Sequence, residues 1–210
     1  MLDRIQEHLE AIYGLRCEYR AADFLVDPEA ARQLGGTGRS REEVLVLESG
    51  EALELALYVD PDLLARVSRY HLPAAAIGSG LAEFCEVAEG VSHFMYLAHT
   101  AGLNRTVSLL ELEAQAEVDK FAVCTLVRWG QGVARWASSL GQRLFEQVRF
   151  HEHLSVAERW RYGEANRLAQ SYVAKLMPHI RGGQLDRLLS ELRHAYRLGA
   201  EAKLAYFSRA

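Results

Sequence analysis

Hydrophobic positions recur along this chain mostly at helical spacing, and at strand spacing in one short region. Leu2, Ile5, Leu9 and Ile12 fall three or four residues apart, which predicts an N-terminal helix with one apolar face. Residues 23–26 read as a short strand. Asp27-Pro28 then supplies an N-cap and a proline at the first helical position, and Gly35-Gly36 closes that helix near Leu34. The strongest strand signal follows: residues 44–47 and 53–59 are β-prone runs joined by Glu48-Ser49-Gly50-Glu51, the pattern of an antiparallel hairpin. Asp60-Pro61 ends the second strand and caps a helix through about Tyr70. Residues 73–80 read as a connector of small residues. Beyond Gly130 the pattern is helical throughout. One helix is expected over 133–150, one from Ser155 to Met177 ahead of Pro178, and a last one after Gly182-Gly183 through Leu204.

Between the hairpin and the C-terminal helices lie two long segments, 86–100 and 108–129, each with a polar stripe on an otherwise core-like body. At 100° per residue, Glu86, Glu89 and His93 share one side of the first, with Phe84, Val91 and Met95 roughly opposite. On the second, Glu111, Gln115 and Asp119 line up in the same way. Ser108 and Glu111 have the spacing of a capping box, as do Ser155 and Glu158. The expected fold is therefore α+β and predominantly α-helical. A small N-terminal β-hairpin is packed on a two-helix core within residues 1–130, and a helical extension over 131–210 completes one unit.

Composition narrows the function. The chain has 210 residues and a formal net charge of −4, which argues against a nucleic-acid protein. No apolar run approaches the ~18 residues of a membrane span, and the N-terminal stretch has an acidic third residue and no continuous apolar segment, unlike a signal peptide. Cys17, Cys85 and Cys124 are far apart and odd in number. They are expected to be reduced thiols of a cytoplasmic protein.

The order of elements carries a resemblance. A hairpin whose second strand ends in YVDPDLL, a helix with EGVSHF and a helix with QAEVDKFA together resemble the zincin core of the minigluzincin metallopeptidases, over roughly residues 40–125. In that family the first helix carries HExxH and the second a glutamate ligand in a pattern like ExxADRFA. The resemblance implies two imidazoles and a carboxylate on zinc, with the motif glutamate taking a proton from bound water. This chain departs at the reacting positions. Glu89 stands at the first histidine, Gly90 at the general base and Gln115 at the ligand glutamate, while His93, Asp119, Phe121 and Ala122 match.

The expectation is a pseudo-metallopeptidase with no catalytic residue, metal or cofactor. Glu86, Glu89, His93, Gln115 and Asp119 would form a polar network, and the protein would act through a protein partner as a subunit, adaptor or regulator. Self-association is left open. The alternative is a metal-binding protein or metal-dependent hydrolase with an unorthodox set drawn from Glu86, Glu89, His93 and Asp119. Three further features are expected to be structural. His151-Glu152-His153 is too closely spaced to face one ion. Trp129, Trp136 and Trp160 suit core or interface anchors. The basic residues Arg187, Arg193, Arg197, Lys203 and Arg209 suit a solvated face, with an acidic partner as the sharper reading.

Overall fold

The apolar stripe of the N-terminus forms α1, Leu2–Tyr13, and buries Ile5 and Leu9 completely or nearly so. The computed structural model describes residues 1–49, 52–70, 73–148 and 154–209. The hairpin turn at Gly50-Glu51 and the 151–153 run lie outside the described residues. The chain forms two compact units, Met1–Glu10 with Arg16–Thr106, and Ala11–Leu15 with Val107–Ala210. Helix α1 thus contributes residues to both. The division at Thr106 groups the second striped helix with the C-terminal helices.

In the first unit a 3₁₀ turn, Ala21–Phe24, leads into a two-residue strand β1, Leu25–Val26. Helix α2, Pro28–Gln33, starts where Asp27 accepts hydrogen bonds from the Glu29 and Ala30 amides. Strands β2, Glu42–Ser49, and β3, Ala52–Val59, pair antiparallel, with Val44 opposite Leu57 and Leu45 opposite Ala56. β1 adds in parallel on the other side of β3, so β3 is central. Both sheet faces are used. Leu45 and Ala56 pack with Ala31 of α2 on one face, while Leu57, fully buried, points from the other.

Helix α3, Pro61–Ser68, is capped by Asp60 as its sequence predicts. Residues 73–80 differ from the expected connector. They form helix α4, Pro73–Ser79, because proline at the first helical position and a run of alanines favour helix over loop. Helix α5, Leu81–Ala101, then crosses the second sheet face, where the ion pair from Arg41 at the foot of β2 to Glu86 spans 3.3 Å.

The second unit is helical. Helix α6, Leu109–Leu126, opens with Ser108 accepting from the Glu111 amide. It is packed by α7, Val133–Gly141, by α8, Val156–Arg181, and by α10, Ala200–Ser208. A π-helical turn, Gln142–Glu146, follows α7. Ser155 and Glu158 form the full reciprocal capping box at the start of α8.

Three helix ends depart from the sequence reading. The helix expected over 133–150 is α-helical only to Gly141 and leaves helix after the π-helical turn at Glu146. α8 runs through Pro178 to Arg181, because this proline lies on the exposed side of the last turn, where the loss of one amide donor costs least. The final helix is broken into α9, Leu185–Arg197, and α10, because Leu198 is extended at the junction with Gly199. With ten helices and a three-stranded sheet among the described residues, the fold is α+β and predominantly helical. None of these helices is long and apolar enough to cross a membrane.

Candidate functional site

The stripe on α5 lies in the first unit. His93 is buried at 8 % exposure, and Glu86 and Glu89 are half-buried. Helical spacing brings Glu89 and His93 to the same side, with a carboxylate oxygen and a ring nitrogen within 4.8 Å. Glu86 is turned to Arg41. Gly90 faces the sheet. A Cβ built there meets a Glu42 carboxylate oxygen at 3.0 Å and Leu57 Cδ1 at 3.1 Å, so the absent side chain is what lets α5 approach β2 and β3.

The stripe on α6 lies in the second unit and is entirely internal. Glu111 is fully buried, and Gln115 and Asp119 are each 2 % exposed. Gln115 Nε2 donates to Asp119 Oδ1 at 2.7 Å and to Tyr13 Oη at 3.1 Å. Tyr13 Oη in turn donates to the same Asp119 oxygen. The opposite end of the amide, Gln115 Oε1, accepts from Lys203 Nζ at 2.7 Å, and Lys203 also donates to the Tyr196 carbonyl at 3.2 Å. The Tyr13 and Tyr196 rings stack with centroids 3.9 Å apart.

The amide dipole of Gln115 therefore lies between a buried ammonium and a buried carboxylate, its oxygen toward the cation and its N–H groups toward the anion. Each of these hydrogen bonds has one clear donor and one clear acceptor. Burial first, and then the Asp119 charge, drives the Tyr13 pKa well above the ordinary tyrosine value, so its proton stays in the network.

The structure thus brings Gln115 and Asp119 together and joins to them Tyr13, which the sequence pattern did not select, and Lys203, which that pattern placed on a solvated basic face but which is fully buried. These partners lie 102 and 88 positions from Gln115, beyond the reach of any periodicity. The only sequence signal was a lysine among apolar residues in the segment AEAKLAYF.

Of the basic stripe, Arg187 and Arg209 are exposed, as a solvated face requires, but the residues between them are engaged. Arg193 and Arg197 reach main-chain carbonyls of residues 11–13, and Lys203 is fully buried. Of the tryptophans, Trp136 donates to the Cys124 carbonyl at 3.0 Å under the Arg128 guanidinium, while Trp160 is 64 % exposed. Cys17, Cys85 and Cys124 are thiols not joined in disulfides.

A second tyrosine cluster secures α10. Tyr206 Oη donates to a Glu191 carboxylate oxygen, and Lys175 Nζ bonds the Tyr206 carbonyl at 3.0 Å and sits 3.9 Å over its ring. Burial and the Glu191 carboxylate push the Tyr206 pKa up to about 12. A phenol held protonated in the fold contributes fully below the ordinary tyrosine value of about 10, and its contribution is lost as pH rises through the folded value. Tyr206→Phe is expected to flatten the fall in stability across that interval. Urea melts on either side of about pH 10 check this, and an unchanged difference between the two proteins counts against it.

No protein-family model, curated protein or solved structure is matched by this chain.

Proposed function

We propose that this protein is a non-catalytic interaction module, built on a core that resembles a metallopeptidase at the level of element order. The observation that carries this reading is Gly90. The general-base position of the resembled motif faces the sheet, where even a Cβ meets the Glu42 carboxylate at 3.0 Å and buried Leu57 at 3.1 Å. A glutamate at 90 begins its side chain inside packing that is already filled. Gln115, at the ligand position, has both ends of its amide committed to the Tyr13–Asp119–Lys203 network. An exposed apolar pair one turn apart on α8, Val156 and Trp160, supports a contact with a protein partner.

One observation favours a second reading, a metal-binding protein: the approach of Glu89 and His93 within 4.8 Å. Elemental analysis and peptide-hydrolysis assays of the wild type and Gly90→Glu separate the two. Neither protein is expected to carry stoichiometric zinc or cleave peptides, and Gly90→Glu is expected to lose about 1–3 kcal/mol of stability by overpacking. Zinc near one per chain in the wild type, lost in His93→Ala, would replace the first reading by the second. For the interaction itself, Trp160→Ser is expected to weaken retention of a co-purifying protein, and equal retention removes α8 from the contact.

A further inference from the structure

We infer that the last turn of α1 is an internal ligand seated in a receptor site of the second unit, and that the site takes, as a chemical class, the C-terminus of a peptide helix ending in Tyr-Gly. A helix C-terminus leaves its final carbonyls without intrahelical donors. α1 has no basic residue of its own in its last turn to meet them. Arg193 supplies two donors, Nε to the Ile12 carbonyl at 2.9 Å and Nη2 to the Ala11 carbonyl at 3.1 Å. Arg197 Nη2 takes the Tyr13 carbonyl at 3.2 Å. Two cations at a helix C-terminus also oppose the negative end of its dipole.

The receptor is preorganised. Arg197 Nη1 bonds the Arg193 carbonyl one turn back at 3.0 Å, which holds its guanidinium in place. The Tyr196 ring forms a wall for the Tyr13 ring, and Asp119 and Gln115 close on the phenol oxygen.

Specificity follows from the next residue. Gly14 has φ +61°, and a Cβ there would lie 3.3 Å from Arg193 Nε, so conformation and space both select glycine. Every group recognised is a main-chain carbonyl, a phenol or a glycine. None depends on the chain being continuous with the receptor. A second helix of the same form therefore competes with α1 for the same donors. Residues Met1–Glu10 belong to the other unit, where Gln6 bonds the Tyr19 carbonyl and the Ala21 amide, so the competition acts on a helix whose residues are divided between the two. The identity of the competitor as a partner helix rests on the interaction reading above. The receptor contacts do not.

The test uses the full chain with a protease site inserted between Leu15 and Arg16, and a labelled synthetic peptide of residues 1–15 as the probe. After cleavage the labelled peptide is expected to exchange into the protein. Its Tyr13→Phe and Gly14→Val forms are expected to bind about tenfold more weakly or worse, the first for the loss of one hydrogen bond to a charged group and the second for a β-branched residue forced to positive φ against Arg193. Equal exchange of all three peptides would overturn the inference, since Ile5 and Leu9 alone would then hold the fragment. No uptake at all would overturn it too.

A second measurement needs no cleavage. In intact Arg193→Ala, amide exchange at residues 13–15 is expected to accelerate while residues 5–9 keep their protection. Unchanged exchange at 13–15 sinks the receptor. Zinc or peptidase activity in the purified protein would end the non-catalytic reading and leave both of these outcomes standing.

Discussion

Lys203→Met is expected to lower stability by about 3–5 kcal/mol, the cost of removing one partner from a buried, compensated charge set. Methionine nearly matches the length of the lysine stem, so little of the loss comes from packing. What disappears is the ammonium that bonds Gln115 Oε1 and the Tyr196 carbonyl in a place with no exposure to water. The Asp119 carboxylate then keeps its donors from Gln115 and Tyr13 but loses the charge toward which the amide is oriented. Pairing the change with Asp119→Asn removes both charges and is expected to recover part of the loss. Urea unfolding of the wild type, the two single variants and the double variant closes the cycle. A Lys203→Met penalty below about 1 kcal/mol, the level of an exposed side chain, would mean the network is not a charge-compensated set.

Gln115→Glu is the change that restores the ligand residue of the resembled motif, and it is expected to harm the protein in a pH-dependent way. A carboxylate at 115 has no donor for the Asp119 oxygen now 2.7 Å from Nε2, and it sets two anions against each other. The fold survives by keeping one proton between them. That raises a carboxyl pKa in the folded state above its unfolded value of about 4.3, so the variant approaches the wild type below that pH and loses stability as pH rises. At about 1.36 kcal/mol per unit, the deficit at pH 7 is about 3–4 kcal/mol. Melts at about pH 4 and pH 7 measure it. A deficit equal at both pH values would show that the new carboxyl is solvated instead of facing Asp119.

Much of the fold was legible because the signals that fix it are local. The Asp27 and Asp60 caps with their following prolines, the Ser155–Glu158 box and the apolar stripe of α1 each act within a few residues, and each formed as read. α4 was missed because alanines beside a proline and glycines match a connector as well as a short helix. The break at Leu198–Gly199 interrupts a pattern whose apolar spacing continues smoothly from Leu185 to Leu204.

The site divides in the same way. Gln115 and Asp119, four apart, were visible as one stripe, whereas their partners Tyr13 and Lys203 arrive from distant parts of the chain. At Gly90 the letter showed what was absent from a motif. Only the structure shows the positive reason for the glycine, a helix lying close against a sheet.

The buried lysine also decides how α10 is placed. A helix whose inward face were only alanine, leucine and phenylalanine can slide a turn along its neighbours and still bury similar area. With Lys203 on that face, any such slip leaves an ammonium among apolar side chains and strands Gln115 Oε1 without its cation. A slip of one turn would bring Gly199 or Phe207 to its place, and neither carries a side-chain donor. One hydrogen bond of 2.7 Å thus permits a single register of α10 against α6, and the tyrosines that flank the lysine, Tyr196 and Tyr206, are placed with it.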